Sequence, residues 1–277
     1  MIKKSTIVAL CLLSAVSYCD ASEGREIAIT IDDLPLVASK MNTPGNQQRS
    51  TERFMRIIQA LKDNNVPATG FVIAGSIEKG QWAFLEQFHD AGFFIGNHTY
   101  SHKNLNRTNV DKYIEDVDKA DKILTPIMTD PKYFRYPYLA EGNSVSRPKV
   151  LAYLKEHHYT IAPVTIDSKD YRFNEQLYHV PYRTREAYIQ KFKTSYLQYI
   201  WSQTVAAEKR ANGAPVKQIL LIHANLLNSY VLGDIIQMYK DHGYTFISLT
   251  DALKNPAPSL NYDPAIGKIS YDPTPIP

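Results

Sequence analysis

Apolar and polar residues repeat with two different periods along the chain, and segments with one period alternate with segments that have the other. Residues 26–33 show the period of two that is typical of a β-strand, with Ile27, Ile29 and Ile31 on one face, so we expect a half-buried strand. Residues 47–65 show the helical period instead. Further strands are predicted at 68–74, 93–99, 132–138, 159–167, 217–223 and 244–250, and further helices at 81–92, 108–124 (capped by Thr108), 146–158, 184–211 and 230–242. This alternation predicts a parallel α/β sheet of about seven strands, either a closed (β/α) barrel or an open doubly wound sheet.

The pattern also divides the chain into three parts. Lys3 and Lys4 precede a short apolar stretch, so residues 1–21 are predicted to be a signal peptide. Residues 22–254 show no repeat or linker and are predicted to form one domain. Residues 255–277 are rich in proline without periodicity, which predicts an extended tail. We therefore expect an exported protein, periplasmic or secreted.

Composition adds two constraints. Of 277 residues, 44% are hydrophobic and 21% charged, which is ordinary for a globular protein. The net charge of +3 falls to +2 without residues 1–21, so nucleic acid or an anionic membrane surface is not an expected partner. Both cysteines, Cys11 and Cys19, lie in the signal segment. The mature chain is then expected to have no disulfide, so that a metal or a large core must stabilise it.

The ends of the predicted strands carry the candidate chemistry. In parallel α/β folds the C-terminal ends of the strands meet at one rim, where functional sites lie. The first strand ends in Asp32 and Asp33, and the third is followed by His98 and His102. The remaining strand ends supply "RYPY" (135–138), "DSKDY" (167–171) and His223.

His98 and His102 stand four residues apart, a spacing that places both imidazoles on one face of a helical turn. Two imidazoles and a carboxylate form a common ligand set for zinc and also suit non-haem iron(II). A divalent cation would also explain the adjacent carboxylates of Asp32 and Asp33, which repel each other otherwise. One would bind the cation and the other would remain free as a base. The alternatives are a chance HxxxH and a turn or helix cap formed by one aspartate.

Five of these segments, in this order, resemble the motifs of the polysaccharide deacetylase family (the NodB-homology domain of carbohydrate esterase family four). "TIDDLP" resembles T-F-D-D-G-P, "HTYSH" resembles H-[ST]-x-x-H, and "RYPY" resembles R-x-P-[YF]. "DSKDY" is similar to D-x-x-D-W, and "ILLIH" to the family's apolar segment ending in histidine. The resemblance extends from about residue 26 to residue 255. It implies a single-domain distorted (β/α) barrel with about seven parallel strands.

The resemblance also implies a metal site. Asp33, His98 and His102 would hold a divalent metal, usually Zn²⁺.

The same resemblance implies the catalytic residues. Asp32 would be the general base and His223 the general acid. Arg135 would orient Asp32, and Asp170 would pair with His223. The backbone N–H of Tyr138 would help to stabilise the oxyanion.

The sequence departs from the family pattern in four places. Leu34 replaces a glycine, which predicts a narrower or more apolar pocket, and Gly70 stands where an aromatic residue is common. Tyr171 replaces tryptophan, and "YLAEGN" (138–143) follows Pro137 where Tyr-Gly is more usual. The aromatic segment 171–182 follows the fourth motif, and we interpret it as a substrate-binding loop.

Together these observations predict a metal-dependent deacetylase that hydrolyses the acetamide of N-acetylglucosamine-containing glycans, namely peptidoglycan, chitin-like oligomers or exopolysaccharide. The alternatives are an O-deacetylating carbohydrate esterase and a small-molecule amide or imide hydrolase on the same scaffold. A non-catalytic glycan-binding relative is the alternative of another class, and the complete set of acidic and histidine residues argues against it. An iron(II) oxygenase is disfavoured by the β/α alternation. The expected partner is the glycan, with no stable membrane insertion.

Overall fold

The computed structural model describes residues 24–260. The predicted signal peptide with its two cysteines lies outside the described residues, as do residues 261–277 of the predicted tail. The first residues of the tail pack along the sheet, because the backbones of Asn255 and Ala257 hydrogen-bond to the backbone of Lys217 at 2.9 and 2.8 Å. The boundary between domain and tail stays a prediction.

One curved sheet of parallel strands forms the centre of the molecule. Its strands in the described residues are β1 (Arg25–Leu34), β2 (Ala68–Val72), β3 (Phe94–Asn97), β4 (Lys132–Phe134), β5 (Tyr159–Ile161), β6 (Ile166–Asp167), β7 (Gln218–His223) and β8 (Tyr244–Phe246). Seven of them follow the order β5-β4-β3-β2-β1-β7-β6, while β8 pairs with the first residues of β1. The predicted α/β fold, a distorted (β/α) barrel of about seven parallel strands, is confirmed.

Helices pack around this sheet. They are α1 (Pro44–Asp63), α2 (Trp82–Asp90), α3 (Val110–Leu124), α4 (Ser146–Glu156), α5 (Asp170–Glu175), α6 (Arg185–Arg210), α7 (Asn228–Asp241) and α8 (Leu249–Ala252). The cap predicted at Thr108 is wrong by one residue. Asn109 caps α3 instead, because its Oδ1 accepts the backbone N–H groups of both Asp111 and Lys112. No helix between residues 24 and 260 combines the length and the apolarity that crossing a membrane requires.

Strand β1 is buried on both faces, which corrects the prediction of a half-buried strand. Ile27, Ile29 and Ile31 belong to the main hydrophobic core, which the helices cover. Ala28 lies on the opposite face, in a second cluster with side chains of β2, β4, β7 and α8. The small residues that alternate with isoleucine therefore face the interior of the barrel rather than solvent. Asp32, the last of them, is only 2% exposed.

Several predicted strands are shorter than expected, and two of these segments divide into separate elements. Segment 159–167 divides into β5 and β6, on opposite edges of the sheet, so the chain crosses the open side of the barrel between them. Segment 244–250 contributes only β8, because Ser248 caps α8 through a 3.0 Å hydrogen bond from the backbone N–H of Asp251. Helix α5 was not predicted.

Strand register brings the ends of the central strands together. Asp32 of β1 lies directly beside His223 of β7. On the other side, β2 and β3 pair Val72 with Asn97, so His98 follows at the same rim. The acid pair Asp32 and Asp33 thus shares one edge of the barrel with His98 and His223.

Candidate active site

A cleft of about 910 Å³ opens at the C-terminal rim of the barrel. Six of the eight predicted site residues line it: Asp32, Asp33, His98, His102, Tyr138 and His223. The other two, Arg135 and Asp170, are buried beneath it, at 1% and 0% exposure. The structure therefore brings the whole predicted set into one place.

Asp33, His98 and His102 form a compact cluster. Asp33 Oδ1 lies 3.7 Å from His98 Nε2 and 3.5 Å from His102 Nε2. Ligand atoms of the three residues all lie within 4.8 Å of one another. Tetrahedral zinc with nitrogen and oxygen ligands places neighbouring ligand atoms about 3.3 Å apart, and the two distances from Asp33 to the histidines are close to that spacing.

The donor atoms of this cluster fit a cation chemically as well. Asp33 Oδ1 is buried and has no hydrogen-bond partner within the described residues. Such an oxygen is costly unless a cation neutralises it. His98 Nδ1 lies 2.8 Å from the carbonyl oxygen of Arg135, so Nδ1 carries the proton and the Nε2 lone pair faces Asp33. Burial, together with the neighbouring His98, lowers the pKa of His102 to about 4, which keeps its imidazole neutral at pH 7.

The loop that carries both histidines is not helical, which corrects the helical-turn prediction. Thr99 and His102 both adopt positive φ, at 66° and 55°. These left-handed residues fold the loop back on itself, and Asn97 Oδ1 holds the bend through a 2.7 Å hydrogen bond from the N–H of Thr99. The two imidazoles meet with ring centroids 4.9 Å apart. Their proximity is set by this bend and not by helical periodicity.

Asp32 is held by Arg135 in the interior of the barrel. Arg135 Nη1 lies 3.4 Å from each carboxylate oxygen of Asp32. The guanidinium is itself fixed by the carbonyl oxygen of Ala162 at 2.6 Å and by Thr30 Oγ1 at 3.1 Å. Burial lowers the pKa of Arg135, and the charge of Asp32 opposes that effect. The pair orients a carboxylate toward the cleft beside the Asp33 cluster, where Asp32 Oδ2 is 3.7 Å from His98 Nε2.

His223, the neighbour of Asp32 on β7, is held by Asp170. Asp170 accepts one hydrogen bond from His223 Nδ1 and one from the His223 backbone N–H, both at 2.7 Å. The side-chain amides of Asn225 and Asn228 also donate to Asp170. Burial lowers the pKa of His223, but the charge and hydrogen bond of Asp170 outweigh it and raise the pKa to about 10. His223 is therefore an imidazolium at neutral pH, with Nε2 left to face the cleft.

Tyr138 forms the rim beside the histidines. Its φ of 58° is left-handed, and Leu139 follows with φ of 53°. Its ring packs on His102 with centroids 4.4 Å apart, yet 61% of the residue is exposed. The strand predicted for 132–138 ends at Phe134, because this turn re-aims the chain across the mouth of the cleft.

Leu34 does not narrow the cleft, so that prediction is wrong. The side chain is fully buried in the main core, against β2. A Cβ atom added at Gly70 would lie 2.0 Å from Leu34 Cδ1. Leu34 thus fills the space that a side chain at position 70 would occupy. Leu34 and Gly70, two of the departures from the family pattern, therefore contact each other in the core, where the larger side chain stands at position 34 and not at position 70.

The aromatic segment 171–182 divides between two surfaces. Tyr171, Asn174 and Tyr178 line the cleft. Tyr182 lies outside it and donates a 3.2 Å hydrogen bond to Glu52 of α1. The part of the segment from Tyr171 to Tyr178 therefore has the position that a substrate-binding loop requires.

Sequence reasoning assigned no role to three kinds of residue that the structure places at the site. Asp167, the first acid of "DSKDY", lines the cleft, and burial raises its pKa. Asn225 and Asn228 hold Asp170, and they follow His223 closely enough in "HANLLN" to have been suspected. Thr30, two residues before Asp32 on the same face of β1, supports Arg135.

Comparison with known proteins identifies the family that the sequence motifs resemble. The model of a family described as polysaccharide deacetylase matches residues 20–162, just over half of the chain. A peptidoglycan-N-acetylglucosamine deacetylase from Bacillus cereus is 30% identical over 159 residues, covering 57% of this chain and 50% of that protein. A chitin deacetylase from Arthroderma benhamiae is 37% identical over 89 residues, covering 31% of this chain and 23% of that protein. These matches span half or less of the two relatives.

A solved structure shows the same fold. A pseudoenzyme of carbohydrate esterase family four from Bacillus anthracis aligns with a TM-score of 0.58 at 19% identity, covering 83% of this chain and 66% of that chain. The family match ends at residue 162, before Asp170 and His223. Those two positions therefore rest on the structure and on the motifs in the sequence.

Proposed function

Because the chain belongs to the polysaccharide deacetylase family, we propose that it is a metal-dependent deacetylase that hydrolyses the acetamide of N-acetylglucosamine-containing glycans. One observation carries the proposal: Asp33 Oδ1 is buried and unsatisfied between the Nε2 atoms of His98 and His102. That oxygen accepts no hydrogen bond within the described residues, whereas it would complete a three-residue ligand set. Such a set leaves room for water and substrate.

The ligand set would hold a divalent metal, with Zn²⁺ favoured by two imidazoles and one carboxylate. A divalent metal supplies Lewis-acid polarisation of the acetyl carbonyl and a water of lowered pKa. The remaining chemistry belongs to the side chains around the cluster.

Asp32 is positioned to act as the general base. Its carboxylate lies beside the cluster and is fixed by Arg135. A carboxylate held in that way can take a proton from a water in the cleft without first reorganising. The backbone N–H of Tyr138, at the rim of the same cleft, would face the oxygen that becomes negative as the carbonyl is attacked.

His223 is positioned to act as the general acid. The departing amine of an acetamide must be protonated, and an imidazolium with a pKa near 10 carries that proton at neutral pH. Asp170 and its two asparagine partners fix the ring next to Asp32, its register partner on β1. Base and acid thus lie side by side at the rim of one cleft.

The fold alone does not guarantee activity, since a neighbour of the same fold is described as a pseudoenzyme. Here the residues proposed as metal ligands, as base and as acid all line one cleft, and their proposed partners Arg135 and Asp170 lie buried beneath it, which supports the proposal. We therefore favour an enzyme over a glycan-binding relative.

The substrate and location are proposed on separate grounds. The cleft of about 910 Å³ is large enough for a sugar and part of its neighbours. Peptidoglycan and chitin-like oligomers are the first candidates, because the relatives are named for them. The signal-like segment 1–21 supports export to the periplasm or the medium.

The test is acetate release from N-acetylated oligomers and from O-acetylated sugars, with and without a chelator. We expect release from N-acetylglucosamine oligomers that the chelator abolishes and added Zn²⁺ restores. Release from O-acetylated sugars alone would favour an esterase. No metal-dependent release from any acetylated glycan would refute the proposal.

A further inference from the structure

A second, much smaller depression lies near the cleft, and half of the residues that line it are arginines. It is lined by Arg49, Glu52, Arg53, Arg56, Tyr182, Arg185, Leu226 and Tyr230. We call Arg49, Arg53, Arg56 and Arg185 the arginine cluster. Against a single glutamate, the lining carries a formal charge of +3.

Two elements place the cluster. Arg49, Arg53 and Arg56 stand at positions i, i+4 and i+7 of α1 and share one face of that helix. Arg185 is the first residue of α6, which brings it to the same face from another part of the chain. The sequence has no local motif that reveals this convergence.

The guanidinium groups are held by neutral partners in the described residues. Arg49 donates to Asn46 Oδ1 at 2.6 Å, and Arg53 donates to the carbonyl oxygen of Val37 at 2.9 Å. Arg185 donates to the carbonyl oxygen of Val180 at 3.1 Å. Arg56 lies over the ring of Tyr230, 4.4 Å from its centroid. These contacts orient the arginines without neutralising them.

The one acidic residue in the lining is occupied by neutral donors. Glu52 accepts hydrogen bonds from Gln48 at 2.9 Å and from Tyr182 at 3.2 Å. The Nε atoms of Arg53 and Arg185 are both buried and have no hydrogen-bond partner within the described residues. Burial and the nearby charge of Arg185 lower the pKa of Arg53 to about 10. Positive charge is therefore concentrated here at a cost that a bound anion would relieve.

The depression lies close to the cleft. Asn225 lines the cleft and Leu226, the next residue, lines the depression. Consecutive Cα atoms are about 3.8 Å apart, so the two lining residues are neighbours in space. Arg53 makes a second connection, because the carbonyl oxygen it binds belongs to Val37, which lines the cleft. A substituent on a glycan in the cleft therefore has only a short distance to span to reach the arginines.

The size of the depression restricts the ligand. Its volume of about 20 Å³ admits one or two oxygen atoms but not a sugar ring. Arginine forks match the planar oxygens of carboxylate and phosphate groups.

We infer that the arginine cluster binds an anionic substituent, a carboxylate or a phosphate, carried by the glycan next to the sugar in the cleft. This inference rests on the proposed function and makes it narrower. The favoured substrate is then an acidic N-acetylated glycan rather than a neutral chitin-like chain.

The experiment measures binding and turnover separately. Three oligomers of equal length are compared: neutral, carboxylate-bearing and phosphate-bearing. Their dissociation constants are measured by calorimetry on an Asp32→Asn background, which avoids turnover, and acetate release is measured on the active protein. The test variant is Arg49→Gln/Arg56→Gln, with Arg49→Lys/Arg56→Lys as the charge-retaining variant. Lys112→Gln/Lys209→Gln is the control, since both lysines are exposed, line neither cavity and carry the same charge.

We expect at least one anionic oligomer to bind about tenfold more tightly than the neutral one, as the loss or gain of one charge-assisted contact implies. The glutamine variant should lose this preference, the lysine variant should keep part of it, and the control should keep all of it. The two anionic oligomers identify whether carboxylate or phosphate is preferred. Equal binding of all three oligomers, or a preference that survives in the glutamine variant, would overturn the inference. Absence of acetate release in the active protein would instead refute the proposed function, because the binding arm does not depend on turnover.

Discussion

Replacing Asp170 by asparagine should change the pH dependence of turnover much more than turnover in mild acid. Asp170 is the main cause that raises the pKa of His223 to about 10, against a burial effect that lowers it. Without the carboxylate, we expect the pKa of His223 to fall to its ordinary value of about 6.5 or below. The wild-type acid is protonated up to about pH 10, whereas the variant loses its proton near neutrality.

The magnitude follows from the two pKa values. With a pKa of about 6.5, roughly three quarters of His223 is protonated at pH 6 but only about 1% at pH 8.5. The defect in kcat/KM should therefore be small at pH 6, about 10-fold at pH 7.5 and about 100-fold at pH 8.5. Acetate release from an N-acetylglucosamine oligomer, measured over this pH range at constant metal, is the assay.

The control addresses the structural role of Asp170, which also accepts hydrogen bonds from Asn225 and Asn228. Thermal unfolding confirms that the variant is folded at each pH. In a His223→Ala background, the Asp170→Asn change should cost little further activity, because the two residues act as one unit. A defect of equal size at pH 6 and pH 8.5 would refute the assignment of His223 as an acid tuned by Asp170.

Three further predictions follow from the packing and charges of the site. Gly70→Ala should destabilise the fold by about 1–3 kcal/mol, because the new Cβ would lie 2.0 Å from Leu34 Cδ1. In urea unfolding, adding Leu34→Ala to the same chain should recover part of this loss. An unchanged unfolding midpoint for Gly70→Ala would contradict the contact between positions 34 and 70. Tyr178→Ala should raise KM for glycan oligomers about 3–10-fold with kcat unchanged, because Tyr178 lines the cleft. Tyr178→Phe should keep the KM of wild type, because it retains the aromatic ring. Equal KM values for wild type and both variants would exclude a contact between Tyr178 and a sugar. Because the folded-state pKa of His223 is raised, its protonation stabilises the fold fully below about pH 6.5, and this contribution is lost as pH rises toward about 10. The stability advantage of wild type over His223→Gln in urea unfolding should shrink across that range, and an advantage that grows with pH would contradict the sign.

The sequence alone predicts the barrel because its signals are local and repeated. The alternation of strand and helix periods determines the sheet, and the rule that sites lie at strand ends collects Asp32, His98 and His223 before any coordinates are known. Register then places Asp32 beside His223, as β1 and β7 are neighbours.

What the sequence could not predict depends on contacts between distant segments. Strand alternation would place Leu34 on the same inward face as Asp32. The left-handed Asp33 (φ 62°) breaks that alternation, and the Leu34 side chain packs in the main core onto Gly70 of β2 instead. The HxxxH spacing suggests a helix, whereas two left-handed residues bring the imidazoles together.

The arginine cluster was missed for the same reason. Three of its members lie on α1 and the fourth begins α6, so only the packing of these elements creates a concentrated positive charge. The net charge of the whole chain is only +3, so it does not reveal the arginine cluster.

The most direct test of the account is the division of labour between the two adjacent aspartates. Bound metal and acetate release are measured on the same preparations of wild type, Asp32→Asn and Asp33→Asn, each loaded with one equivalent of Zn²⁺ and freed of excess. We predict that Asp32→Asn retains the metal but releases no acetate, because it lacks the base, and that Asp33→Asn loses both. Retention of metal by Asp33→Asn, or its loss from Asp32→Asn with Asp33 intact, would contradict the assigned roles.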